Sequence, residues 1–235
     1  MTTPTVALVP LRSPGRGKTR LAEVLSVEER AALAGAMLAD VVHALRGAGL
    51  ARLIVVADGP HAAAAAAALH VDVLHDPPGD HTLDDAVAAG TAALAREAAL
   101  LVVAADLPRL TPRDVHALLD HNEHVVVAPT NDGGTGGLLR RPPQAIATAY
   151  GPRSAAHHVR LAREAGLTAA MAHVEGFNHD VDTPADLAGI TGGQLGLATS
   201  RYLERSGIGA RIHAWIDLLP PAGADADAGI ERPSA

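Results

Sequence analysis

The sequence predicts an α/β layered fold built on a largely parallel sheet, and three observations carry that expectation. Short apolar runs alternate along the chain with segments of helical composition. The apolar runs show no polar–apolar alternation, so both of their faces are expected to be covered by helices. The helical segments open on N-cap signatures that mark their starts.

The elements follow in order. Thr5–Pro10 is a short buried strand that ends in a Pro/Gly-rich loop running through Thr19. Ser26 with Glu29 makes a capping box and opens a helix to about Arg46. Leu53–Ala57 is a second strand, His61–Leu69 is helical by its alanine content, and Val71–Leu74 is a third strand. Thr82 with Asp85 caps a helix to about Glu97. Leu100–Ala104 is an apolar strand that stops at Asp106-Leu107-Pro108. Thr111, Pro112 and Asp114 supply an N-cap, a first-turn proline and a third-position acid for the next helix. Val125–Ala128 is a strand, Gly133–Gly137 a flexible loop, Ser154–Ala165 a helix and Ala169–Val174 a strand. Thr183, Pro184 and Asp186 repeat the helix-start pattern. Residues 191–219 carry little local signal. From Pro220 onward the chain is rich in Pro, Ala, Gly and Asp, so a single domain over 1–219 and a disordered tail over 220–235 are expected.

Composition narrows the function. Hydrophobic residues make up 48% of the 235 but aromatics only 2%, so the core is built from aliphatic side chains. The lack of cysteine excludes disulfides, thiolate metal sites and thiol catalysis. The alanine run from Ala62 to Ala68 is too short to cross a bilayer, and a soluble cytoplasmic protein is expected. A net charge of −7 argues against a general nucleic-acid surface. Residues 1–22 nevertheless hold Arg12, Arg16, Lys18 and Arg20 and no acid, which suggests a local anion site, the alternative being a solvated basic turn. Lys18 is the one lysine among 19 basic residues and stands inside the glycine-containing loop. A compact ammonium on a flexible stem suits a phosphate.

Gly17-Lys18-Thr19 suggests a P-loop, but that motif needs glycine where Arg12 stands, so the ATPase reading fails on spacing. Ligands of open α/β sheets bind beyond the carboxyl ends of the strands. Three places at predicted strand ends carry suitable groups: the basic loop, Asp106, and Asp180 with Asp182, which point to one side if the segment is extended. Carboxylates with bridging phosphates suit Mg²⁺. The histidines, His121, His124 and the His157-His158 pair among them, lack a zinc-binding pattern, and most of the thirteen read as surface or capping residues. No Gly-x-Ser-x-Gly elbow supports a serine hydrolase.

The ordered set is more specific than its parts. It comprises Val-Pro-Leu-Arg12, Gly-Lys18-Thr-Arg20-Leu-Ala, Ala105-Asp106-Leu-Pro-Arg-Leu-Thr-Pro, Gly133-Gly-Thr135, Tyr150-Gly151-Pro-Arg-Ser154-Ala-Ala-His-His158, and Asp180-Val-Asp182-Thr-Pro-Ala-Asp-Leu. Over roughly residues 5–203 this resembles the guanylyltransferases of coenzyme F420 biosynthesis, which activate phosphoenolpyruvate or 2-phospho-L-lactate with GTP. The resemblance implies a doubly wound nucleotidyltransferase domain akin to glycosyltransferase type A. It also implies that Asp106, Asp180 and Asp182 hold Mg²⁺ and that Thr135, Gly151 and Ser154 bind the acid. Arg12, Lys18 and Arg20 would embrace the GTP phosphates, with Lys18 and Asp106 acting in catalysis. Two positions depart from the family pattern: Asp84, where asparagine is usual, and Gly136, where asparagine or threonine is frequent. Asp84 would then accept the N–H groups of guanine. The partners implied are GTP and a small phosphorylated acid, with no nucleic acid and no membrane; oligomeric state stays open, a homodimer included. The competing readings are a related nucleotidyltransferase acting on molybdopterin or a sugar phosphate, and a non-catalytic nucleotide-binding relative.

Overall fold

The computed structural model describes residues 4–13, 18–50, 52–76, 81–94, 97–191 and 193–218. Gly15, Arg16 and Gly17 of the basic loop, and the expected tail at 220–235, lie outside the described residues.

The strands are β1 (Thr5–Arg12), β2 (Leu53–Asp58), β3 (Asp72–His75), β4 (Ala99–Val103), β5 (Val125–Pro129), β6 (Thr135–Arg140) and β7 (Ala169–Met171). They form one sheet in the order β3-β2-β1-β4-β6-β5-β7. Strand β6 runs antiparallel to β4 and β5, and the other pairings are parallel. The helices are α1 (Val27–Gly47), α2 (Pro60–Ala68), α3 (Leu83–Ala93), α4 (Pro112–Leu119), α5 (Ser154–Glu164), α6 (Pro184–Ile190), α7 (Leu197–Ser206) and α8 (Ile208–Asp217). Among the described residues no helix is long and apolar enough to cross a membrane.

Successive strand residues point to opposite faces, and both faces are covered. Ala7, Val9, Leu101 and Val103 pack with Leu38, Val41 and Leu45 of α1 and Val115 and Leu118 of α4. Val6, Leu8, Val102 and Leu138 pack on the other side with Val87 of α3 and Val159 and Ala162 of α5. That two-sided burial is why the strands are apolar without alternation, and it makes the sheet doubly wound. Four helices begin on full capping boxes, Ser26/Glu29, Thr82/Asp85, Thr111/Asp114 and Thr183/Asp186. Each N-cap contributes about 1 kcal/mol and fixes where its helix starts.

Two stretches differ from expectation. The glycine run at 133–137 is not all loop, because Thr135, Gly136 and Gly137 begin β6. Side chains at Gly136 and Gly137 would collide with the backbone carbonyl and the ring of Phe177, so the strand fits there only because these two residues lack Cβ atoms. Residues 197–217 form α7 and α8, which close a third core with Leu21, Leu33, Met37, Val181 and Leu187. Gly196 precedes α7 and offers no side-chain cap. The cap comes from buried Asp40 of α1, which accepts the N–H groups of Ala198 and Thr199, both at 2.9 Å.

Candidate active site

The strand order reverses between β1 and β4, so their carboxyl ends splay apart into a crevice. A cavity of about 560 Å³ opens there. Its wall takes Leu11, Arg12 and Lys18 from the end of β1, Ala104 to Asp106 from the end of β4, Thr135 from β6, residues 150–154, and Asp180 with Asp182.

Lys18 sits in the left-handed region, φ 51°, at the entrance to a 3-10 turn over Thr19–Glu23. Its Nζ donates to Asp106 Oδ2 at 2.7 Å, to the carbonyl of Val181, and to Asp182 Oδ1 at 3.4 Å. The side chain is only 10% exposed. Burial pulls the ammonium pKa down, but the charges and hydrogen bonds of Asp106 and Asp182 outweigh burial and hold it above the usual lysine range. The resemblance implies that Lys18 faces a triphosphate, but here its N–H groups are engaged by two carboxylates and a carbonyl. Apart from the chain's N-terminus it is the one primary amine, so labelling reads it directly. Lys18 in the free protein is expected to react with amine reagents at least about tenfold more slowly than in an unstructured peptide of residues 10–22, since reaction needs local opening. Equal rates would show that the ammonium is not held.

Asp180 lies beside this pair, and its carboxyl is pushed up to about 7 by burial first and then by the charges of Asp106, Asp182 and Asp132. Among the described residues no three His, Asp or Glu side chains form a closed group placed to hold a metal ion. The donor set is nonetheless all carboxylate oxygen, and among the described residues no cation pairs with Asp180. That chemistry fits Mg²⁺, which is usually held by one or two carboxylates and completed by waters and phosphates.

Also lining the cavity, Thr135 Oγ1 and Ser154 Oγ are 2.8 Å apart. Ser154 is 1% exposed and opens α5, and Gly151 precedes it at φ 139°, a conformation that side chains rarely adopt. Thr135 Oγ1 also lies 3.2 Å from Nδ1 of His158, whose Nε2 accepts the N–H of Ala149 at 2.9 Å. His158 is buried, so it is neither a surface nor a capping histidine. Its pKa is pushed down to about 4, chiefly by burial.

Asp84 does not line the cavity, where its neighbour Leu83 does. Its two oxygens accept the N–H of Tyr150 at 3.0 and 3.2 Å, tethering the loop that leads to Ser154. Arg12 lines the cavity, and its guanidinium lies 3.5 Å from the carbonyl of His81. Arg20 is exposed and lines both this cavity and a second of about 510 Å³. Asp132, Asp180 and Asp182 are shared between the two cavities. Asp132 was not legible as a site residue. It accepts the Thr130 hydroxyl and the Gly134 N–H, which hold its carboxyl below the usual range. The signal that could have marked it is the turn-forming Asp132-Gly133-Gly134. Arg30 and Arg153, also on the wall, had no such marker.

A family model described as guanylyl transferase CofC like matches residues 5–214. The chain belongs to this family. Its relatives among the CofC-like guanylyl transferases include the phosphoenolpyruvate guanylyltransferase of Conexibacter woesei, 38% identical over 192 residues, covering 78% of this chain and 85% of the relative. The 3-phospho-D-glycerate guanylyltransferase of Phenylobacterium zucineum is 36% identical, with 84% and 94% covered. The 2-phospho-L-lactate guanylyltransferase of Methanothermobacter thermautotrophicus is 32% identical, with 86% and 90% covered. A solved nucleotidyl transferase from Methanothermobacter superposes with a TM-score of 0.59 at 18% identity, covering 86% of this chain and 98% of that one. A CMP:2-keto-3-deoxy-manno-octonic acid synthetase complexed with CTP does so at 0.56 and 18%, covering 79% and 96%. These structures share the fold; that the chain is a nucleotidyltransferase rests on the family match and on the relatives named guanylyltransferases.

Proposed function

We propose that this guanylyltransferase joins GMP from GTP to phosphoenolpyruvate or 2-phospho-L-lactate, releasing pyrophosphate, as an activating step toward coenzyme F420. The observation that carries the reading is one cavity lined by two chemically different sets of groups. Carboxylates with Lys18, Arg12 and Arg20 form one set, and the hydroxyls of Thr135 and Ser154 with the Gly151 backbone form the other.

A phosphate oxygen of the acid attacks the α-phosphorus of GTP, a P–O bond forms, and the bond to the bridging oxygen breaks as pyrophosphate leaves. Two anions must approach in line, so the protein's work is charge neutralisation and positioning. Arg12 and Arg20 neutralise the departing phosphates, and the Lys18 ammonium, held on the cavity wall by Asp106 and Asp182, adds its positive charge there. Thr135, Ser154 and Gly151 orient the acid. Asp106, Asp182 and Asp180 would hold Mg²⁺, which when bound supplies positive charge to the phosphate oxygens.

Pyrophosphate release with GTP and phosphoenolpyruvate, 2-phospho-L-lactate or 3-phospho-D-glycerate, run in parallel, tests the proposal. Release with at least one of the first two is expected. GTP binding without release for any acid would point instead to a non-catalytic relative. Release in a fourth arm with a sugar phosphate, and with none of the three acids, would point to a different nucleotidyltransferase. Ser154→Ala is expected to raise KM for the acid by roughly 10- to 100-fold, the cost of a lost hydrogen bond to a charged group, with KM for GTP unchanged. An equal rise for both substrates would place Ser154 outside the acid site.

A further inference from the structure

Four groups at the proposed acid site form a chain whose protons can be counted, Ala149, His158, Thr135 and Ser154. Ala149 N–H donates to His158 Nε2 at 2.9 Å, so that nitrogen carries a lone pair and no proton. The ring is neutral at pH 7, because burial works against its charged form. A neutral imidazole has one N–H, and here it must be at Nδ1, which faces Thr135 Oγ1 at 3.2 Å. Thr135 Oγ1 in turn shares a hydrogen bond with Ser154 Oγ at 2.8 Å.

The count decides what the cavity presents. Thr135 and Ser154 bring two hydroxyl protons, and the bond between them consumes one, whichever residue donates. If Nδ1 were an acceptor, the Thr135 proton would go to the ring and the Ser154 proton to Thr135, and the cavity would face only oxygen lone pairs. Because Nδ1–H donates, one hydroxyl proton is left over. Both hydroxyl residues line the cavity, so the spare proton points at a ligand.

From this geometry we infer that His158 is a positioning residue which, through the tautomer fixed by the Ala149 N–H, converts the Thr135–Ser154 pair into a hydrogen-bond donor selective for an anionic oxygen. It touches no substrate and acts through the hydroxyl pair. Tyr150 packs edge-on against the imidazole, ring centroids 5.1 Å apart, and Asp84 tethers the Tyr150 backbone, so ring orientation is set from both sides. The inference rests on the proposed acid site and assigns it a charge preference: carboxylate or phosphate oxygens accept the donated proton more strongly than a neutral hydroxyl in their place.

Two conservative replacements separate the ring's two bonds. An Asn amide nitrogen falls where Nδ1 stands and keeps a donor for Thr135. A Gln carbonyl oxygen falls where Nε2 stands and keeps the acceptor for Ala149 while removing the donor. His158→Gln is expected to raise KM for the acid by about tenfold or more with KM for GTP unchanged, and His158→Asn to stay within about threefold of the parent, as for one charge-assisted bond. In parallel, ¹⁵N spectra of the free protein at pH 7, assigned by the signal that His158→Gln removes, are expected to show a neutral ring protonated at Nδ1. A proton at Nε2, an imidazolium, or equal acid KM values in the two variants would overturn the relay. Absence of pyrophosphate release by the unaltered protein with every acid would overturn the guanylyltransferase reading instead, and the spectrum still decides the proton count.

Discussion

Asp106→Asn is expected to lower kcat by at least about 100-fold, the scale of removing one preorganised electrostatic contact from a reacting centre. Asp106 stands just beyond the end of β4, and its Oδ2 accepts the Lys18 ammonium at 2.7 Å. The amide keeps the side-chain shape but removes the negative charge. Two consequences follow: the oxygen set offered to a divalent cation loses a hard anionic ligand, and the buried ammonium loses its shorter ion pair. The Lys18 amine should therefore label faster in this variant than in the parent, which reports on the site without a turnover assay. Helix content by circular dichroism should match the parent. Near-normal turnover at saturating Mg²⁺ would remove Asp106 from the site.

Gly136→Ala is expected to be the most destabilising single-methyl change in the sheet. A Cβ at this position would lie 2.4 Å from the backbone oxygen of Phe177 and 3.3 Å from Thr130 Cγ2. A backbone carbonyl in a packed core cannot swing aside as a flexible side chain can. The cost is about 1–3 kcal/mol or more, and in a chain of this size each kcal/mol lowers Tm by roughly 2–4 °C. Gly35, in the middle of α1, is the control, because a Cβ there meets nothing within 4 Å. Gly35→Ala should raise Tm slightly, since glycine costs a helix about 0.5–1 kcal/mol relative to alanine. If both variants melt together, the close approach of β6 to Phe177 is wrong.

Much of the fold was legible because its signals are short-range. A capping box is a contract between residues three apart, so Ser26, Thr82, Thr111 and Thr183 announced their helices without reference to anything else in the chain. The end of helix α3 was read less well, since Ala93 closes it before the expected Glu97. Apolar runs without alternation announced strands covered on both faces. The positions of Asp106, Asp180 and Asp182 at one end of the sheet followed from strand polarity and from the rule that open sheets bind ligands there.

What the sequence determined by itself is therefore the doubly wound architecture, most helix starts, and the end of the sheet at which the cavity opens. Only the tertiary structure decided the rest. The cap of α7 comes from Asp40, nearly 160 residues away, and the Gly-rich β6 is a strand because β4 and β5 flank it and Phe177 lies over it. Lys18 is held on the cavity wall by Asp106 and Asp182, Asp84 holds the Tyr150 backbone, and His158 takes its tautomer from Ala149. The physical reason is common to all of these: polar and glycine residues take their roles from the partner that burial places against them, and that partner is chosen by the packed sheet and not by neighbours along the chain.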